Sequence, residues 1–429
     1  MLAGLMSLAA CSNDEGVVAD NNGAEQQFTI TLASSGDRAT RAAADRALES
    51  EAAGQSIEKV TLVVRSQDEG TDKNKVVYIK TLENWNGTAT DYDTNGHGKK
   101  LTFTIPKADK LGAGDYVVTA VGYNDGNYDL SLPNKGDVVA KNITATTSAG
   151  AEAKEVFAGE QKFTVTAPKP DDSNQIQNVD VTLHRQVAGA YGYFTSIPAK
   201  IGETEVASIR MVSRSKNTVL TFGSFNSSFT TTDANVMYMV NGSVPAGKTA
   251  KFLNGDEANV LFSAKIADWF PGGDKNNDGV YDNKDTNWTQ HYTGSYLKGS
   301  VFASNFIVPF SATQDKSTLE LQLLDATGYV LYAWPVKLDA SNDQIGKTGE
   351  TASADLFNAG TAMGFAETAD VFSLFRNHIY SIGIHKQGTT NPDKTEPGTD
   401  EPTDLSKIQN VVIRVNDNWE ALHHMSIDE

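Results

Sequence analysis

The chain has 429 residues, 39% of them hydrophobic, and a formal net charge of −18. That length suggests two domains with a core that needs no covalent staples. The acid excess argues against a general nucleic-acid binder and against adsorption to anionic lipid, and a single Cys excludes a disulfide framework, a Cys-based zinc site and an iron–sulfur cluster.

The first ten residues, MLAGLMSLAA, are small and apolar, and the Cys follows at position 11. Leu8-Ala9-Ala10-Cys11 resembles the lipobox of a bacterial lipoprotein. Cleavage before Cys11 would let its thiol and amine take acyl chains, which anchor a protein by burying methylenes in the bilayer. No Lys or Arg precedes Cys11, so the signal is expected to begin further upstream. The alternative is an apolar start with one buried Cys. Residues 12–26 are polar and read as a tether.

A strand pattern follows. Phe28, Ile30 and Leu32 point one way, Thr29 and Thr31 the other. Residues 33–55 are Ala-rich and carry Arg38, Arg41 and Arg46, with no apolar stripe to bury, so they read as an exposed, protease-accessible segment. Val60, Leu62 and Val64 alternate next. Further strand-like runs are expected at 76–80, 101–105, 116–121, 138–144 and 162–166, with turn clusters such as Asn124-Asp125-Gly126-Asn127 between them. The spacing fits an all-β sandwich. The Pro- and Asp-bearing stretch 167–175 is the expected domain boundary. A second β region runs from 179–183 to 378–384. Residues 388–404 hold three prolines, many Thr and acids, and no large apolar side chain, which is a linker composition. Beyond it Val411, Ile413 and Val415 share a strand face, and Trp419, Ala421, Met425 and Ile427 keep the same phase.

One local motif carries chemistry. Asp274, Asn276, Asp278, Val280, Asp282 and Asp285 fall at positions 1, 3, 5, 7, 9 and 12 of a loop with Gly279 at position 6. Calcium takes six to eight hard oxygens, and this spacing wraps a chain around one ion, with Val280 offering its carbonyl. The expectation is one structural calcium. The alternative is a Gly/Asn/Asp turn that needs no ion. Position 12 is Asp rather than Glu, as in dockerin-like loops.

Zinc-protease, nucleophile-elbow, Walker and dinucleotide motifs are absent. His423 and His424 are adjacent and read as a solvated strand end rather than a metal site. The run 329–334 (YVLYAW) reads as core rather than as a sugar platform. No pair of carboxylates is singled out by spacing as a glycosidase acid and base.

Taken in order, the lipobox, the Arg-bearing segment after a first strand and the two-part β architecture resemble the fimbrillins (type V pilins) of Bacteroidales, most nearly the minor-fimbrium, Mfa-like shaft subunits. Leu183-His184-Arg185-Gln186-Val187-Ala188 is similar to that family's L-x-R-x-x-A element, and Arg376-Asn377-His378-Ile379-Tyr380 to its late R-N-x-x-Y strand. The resemblance implies two transthyretin-like β-sandwich domains in tandem and no enzymatic activity. It implies a precursor held in the outer membrane by lipid on Cys11. An Arg-specific surface protease then cuts after Arg46, with Arg41 as runner-up, and removes the first strand. A strand from the next subunit fills the groove, donated through Trp419, Ala421, Met425 and Ile427. The divisions then expected are a signal remnant at 1–10, a tether and removable strand at 11–46, sandwiches at 47–175 and 176–387 with the calcium loop at 274–285, a linker at 388–406 and a donor segment at 407–429. Anchor and tip subunits are the implied partners. A tip adhesin or a surface glycan-binding lipoprotein is the rival reading, with an enzyme of polysaccharide breakdown behind it.

Overall fold

A computed structural model describes residues 26–32, 57–68, 70–91, 99–124, 126–139, 143–148, 152–166, 177–213, 219–222, 259–292, 296–309, 319–338, 374, 379–383, 385, 401–406 and 411–416. Cys11, Arg41, Arg46, the 167–175 break, Trp419, Ala421, Met425 and Ile427 lie outside them. The protein is all-β. Helix among the described residues is confined to the single turn Trp85–Thr88 and the 3-10 turns Lys107–Asp109 and Ile266–Asp268.

The strands in chain order begin with β1 (Gln26–Leu32), β2 (Lys59–Ser66), β3 (Val76–Leu82), β4 (Thr90–Asp91), β5 (Lys99–Thr104) and β6 (Gly114–Tyr123). Next come β7 (Tyr128–Ser131), β8 (Ile143–Thr147), β9 (Phe157–Val165), β10 (Gln177–Arg185), β11 (Ala188–Thr195) and β12 (Ile197–Pro198). They continue with β13 (Lys200–Ile201), β14 (Thr204–Glu205), β15 (Ser208–Ser213), β16 (Val219–Phe222), β17 (Asn259–Lys265) and β18 (Val280–Tyr281). The last are β19 (Ser300–Ile307), β20 (Leu319–Leu324), β21 (Val330–Leu338), β22 (Ile379–Ile382), β23 (Thr403–Asp404) and β24 (Val411–Asn416).

The first large sheet has the order β3-β2-β6-β9-β10-β1-β5-β4. It folds over at β10. Residues 177–183 of that strand run parallel to β1, whereas His184 and Arg185 pair antiparallel with Ala158 and Phe157 of β9. The two flanks close on one core, in which Phe28, Ile30 and Val181 meet Val60, Leu62 and Val118. The second sheet has the order β17-β15-β20-β21-β24-β22-β11-β19, with β23 added to β11. It is joined the same way. Residues 411–413 of β24 pair parallel with β21, and residues 414–416 pair antiparallel with β22. Each sandwich is therefore joined by one strand that changes partners and pairing sense along its length.

A third apolar cluster lies between the sandwiches. Val63, Val76 and Val121 of the first meet Phe306, Val308 and Ile379 of the second, with Leu220 and Phe222 of β16 between them.

Three differences from the sequence reading have physical causes. The run 179–183 was expected to open the second region, yet β10 completes the first sandwich. The chain changes sheets at Gln186 and Val187, beyond the polar break at 167–175. The strand expected at 138–144 starts only at Ile143, because Val138 is 59% exposed and makes a single bridge to Lys75. Strand β9 begins at Phe157, five residues before the expected 162, because Phe157, Ala158 and Gly159 are buried against β6 despite a weak strand pattern. In the run 329–334, Trp334 is core, but Tyr329 and Tyr332 are 57% and 45% exposed.

Candidate functional site

Strand β1 is the feature that sets this fold apart. It stands at the amino-terminal end of the described chain, yet it is an interior strand of its sheet. One edge pairs with β10 at seven positions and the other with β5 at six. Its alternation QQFTITL suits a pleated, half-buried surface. Phe28 and Ile30 are 1% and 0% exposed. Phe28 stacks on Phe103 of β5 and meets Phe163 of β9 edge-on, each 5.7 Å between centroids. On the outer face Thr29 shares a hydroxyl contact with Thr102 (2.8 Å) and donates to Asn178 Oδ1 (3.1 Å), tying β1 to both neighbours.

The entry of β1 is fixed by Gln26, a buried polar residue that sequence reasoning passed over. Its Nε2 donates to the Leu111 carbonyl and its Oε1 accepts from the Leu111 N–H, both at 2.8 Å. A side-chain amide thus satisfies the two backbone groups of a residue that belongs to no strand. Beside it a cavity of about 70 Å³ opens, lined chiefly by Phe28, Ile105, Leu111, Phe163, Val165 and Val179. Without β1 the half-buried Leu101 and Phe103 of β5 would lose their cover, and the facing edges of β5 and β10 would present unpaired backbone groups.

The second candidate is the loop 274–285. It follows the core residue Phe270 and itself contains the core residue Tyr281, whose ring centroid lies 5.0 Å from that of Phe270. Val280 is fixed by the pairing of β18 with Pro198. Asp274 accepts from the N–H groups of Asn277 and Gly279 at 2.8 Å. Asn276 accepts from Asp278, and Asp278 from Val280. Asp285, fully buried, accepts from Lys275 and Asp282. Gly279 adopts φ 87°, which places the sharp turn where the spacing calls for it. Lys284 puts its Nζ 3.0 Å from carboxylates of both Asp278 and Asp282. This contact holds the Asp278 carboxyl below its ordinary range and the Lys284 ammonium above its own. Among the described residues no three His, Cys, Asp or Glu side chains converge in a way that would hold a metal ion. The oxygens suit calcium in type and order, but in this geometry they face N–H donors and the Lys284 cation.

A third constellation lies where β10 changes partners. Leu183, Arg185 and Ala188 of the L-x-R-x-x-A element are fully buried. Arg185 donates from Nη2 to Glu155 Oε1 at 2.6 Å, with side chains 0% and 2% exposed. Its guanidinium also lies over the Phe157 ring, 5.0 Å from the centroid. The element is an internal brace.

The terminal segment is divided. Residues 411–416 serve as β24 of their own sandwich. Just before them, Leu405 ends the Pro- and Thr-rich run by entering the core, with its N–H donating to the Thr195 carbonyl.

No protein-family model matches the chain, and no curated protein sequence does either. Its neighbours among solved structures include fimbrial proteins, putative adhesins and putative polysaccharide binding proteins of Bacteroidales. The fimbrial anchor protein Mfa2 of Porphyromonas gingivalis aligns over 92% of this chain and 98% of its own at 12% identity, with a TM-score of 0.38. A fimbrial assembly protein of Parabacteroides distasonis aligns over 84% and 92% at 12% identity, with a TM-score of 0.35. The tip fimbrial protein Mfa3 of P. gingivalis, truncated at its C-terminus, aligns over 86% and 96% at 10% identity, with a TM-score of 0.33. Likenesses this distant leave the functional reading to the chain's own residues.

Proposed function

We propose that this chain is a structural shaft subunit of a bacterial surface fimbria that supports adhesion. It is exported as an outer-membrane lipoprotein through Cys11, cut after Arg46 by an Arg-specific protease, and polymerised by strand exchange. The observation that carries this reading is the position of β1: an interior strand at one end of the chain, which a single cut downstream can free without interrupting the rest of the sheet. Arg46 lies between β1 and β2, in the Ala-rich stretch without an apolar stripe. Loss of β1 opens a groove lined by Leu101, Phe103, Val181 and Leu183 and edged by two strands, which is a template for an added strand. The C-terminal segment of a second copy supplies that strand, and anchor and tip subunits bound the fibre. The loop 274–285 takes one structural calcium when Lys284 swings away from Asp278 and Asp282.

Electron microscopy of the protein after Arg-specific proteolysis tests the reading. Fibres are expected from the parent chain and none from Arg41→Ala with Arg46→Ala. Fibres of normal length from that double variant, with residues 26–32 retained, would refute it. A chain lacking 417–429 should be cut yet remain unpolymerised, which also separates a shaft subunit from a tip adhesin that has no need to donate. Cys11→Ser should release the precursor from membranes, and palmitate still entering that variant would contradict the lipid anchor.

A further inference from the structure

We propose that residues 423–429 of one copy replace β1 of the next in β1's own direction and register, a step that rests on the strand exchange proposed above. The seven residues of β1 are Gln26-Gln27-Phe28-Thr29-Ile30-Thr31-Leu32, and the last seven of the chain are His423-His424-Met425-Ser426-Ile427-Asp428-Glu429. At the first six positions the pattern repeats: two polar residues able to donate and accept, a large apolar residue, a small hydroxyl, isoleucine, a polar residue; at the seventh Glu429 stands where β1 has Leu32. Met425 and Ile427 take the places of Phe28 and Ile30, whose side chains are buried. Strand β24 ends at Asn416, so six residues, 417–422, bridge from one sandwich to the next copy. Extended, they span about 20 Å.

The apolar pattern alone reads equally well backwards, with Ile427 at the place of Phe28 and Met425 at that of Ile30. Two observations fix the direction. The first is the pair of Gln26 bonds to the Leu111 N–H and carbonyl. In β1's direction His423 stands there, and a neutral imidazole bonds one of the two groups without bringing a charge into the site. Reversed, Glu429 stands there, and a carboxylate accepts from the N–H but gives nothing to the carbonyl, in a place only 3% exposed. The second is charge. Thr31 and Leu32 lie opposite Lys100 and Lys99 of β5. In β1's direction Asp428 and Glu429 fall opposite these two lysines. Reversed, they fall opposite Thr104 and at the Leu111 site. Opposite charges directly across a ladder stabilise it. Trp419 and Ala421 then precede the groove, at the end where the apolar cavity opens.

Cross-linking within fibres tests the register. Cys11 leaves with the cleaved segment, so the mature chain has no other thiol. His424→Cys is combined either with Thr104→Cys, its expected partner, or with Lys100→Cys, its partner in the reversed strand. The two β5 positions are about 13 Å apart, which a short dithiol cross-linker distinguishes. A covalent ladder of subunits with Thr104→Cys and none with Lys100→Cys is expected. A ladder only with Lys100→Cys overturns the direction. Fibres that form with neither ladder overturn the donor assignment while strand exchange stands, and a parent chain that never polymerises after cleavage refutes strand exchange itself. Charge reversal gives a second readout. Lys99→Glu with Lys100→Glu should slow fibre growth roughly tenfold, and Asp428→Lys with Glu429→Lys in the same chain should restore it. Growth indifferent to both changes would overturn the register.

Discussion

Gln26 answers with a side chain a demand that ladders meet with the backbone. Leu111 belongs to no strand, and its buried N–H and carbonyl find both partners in one amide. Gln26→Ala removes both, so it should destabilise the precursor by about 1–3 kcal/mol in denaturant unfolding, whereas Gln27→Ala, on the outer face, should change it by less than about 0.5 kcal/mol. Nothing in the sequence marks Gln26 as different from Gln27 except the phase of Phe28 and Ile30. Leu111 lies eighty-five residues away and gives no signal at all. The turn at Gly279 was legible from the spacing, but the role of Lys284 was not, because lysines within an acidic loop look like ordinary solvation. Its contact depresses the Asp278 carboxyl. Such a carboxylate contributes stability above its unfolded-state value, and that contribution is lost as the pH falls through the folded one. The melting temperature of the parent should therefore drop more steeply on acidification below pH 4 than that of Lys284→Gln. Calcium should raise the melting temperature of both and bind Lys284→Gln more tightly, since no ammonium has to leave. Unmoved melting curves with no metal by elemental analysis would make the loop an ion-free turn.

Strands β10 and β24 show what alternation can and cannot convey. Both were readable as strands, and β1 was readable as an amphipathic one. Their partners were not readable, because period-two patterning specifies which face is buried and leaves open which edge is paired. Parallel pairing of β1 with β10 joins segments 151 positions apart in register. The crossing point of β10 depends on the Arg185–Glu155 pair. Glu155→Ala leaves the Arg185 charge buried without its carboxylate, so it should cost about 3–5 kcal/mol. Replacing both by Met and Leu should cost much less. Equal losses in the two variants, measured by urea unfolding, would mean that packing rather than charge compensation fixes the crossing.

The whole molecule is two β-sandwiches, each joined by a strand that changes partners, with a shared apolar seam between them. The seam runs through Phe222 and Ile379 as well as Val63, so the sandwiches are expected to move as one body when β1 departs. That matters for a shaft, which needs subunits that transmit load without bending. The all-β architecture was legible from composition and spacing. The membership of β10 was not, because the polar break at 167–175 lies before a strand that pairs with β1 and β9. Intact-mass spectrometry of subunits released from purified fibres tests the central claim most directly. Every shaft subunit should begin at Ala47, and residues 26–32 should be absent from the fibre. Fibres of normal length whose subunits still carry β1 would contradict the account.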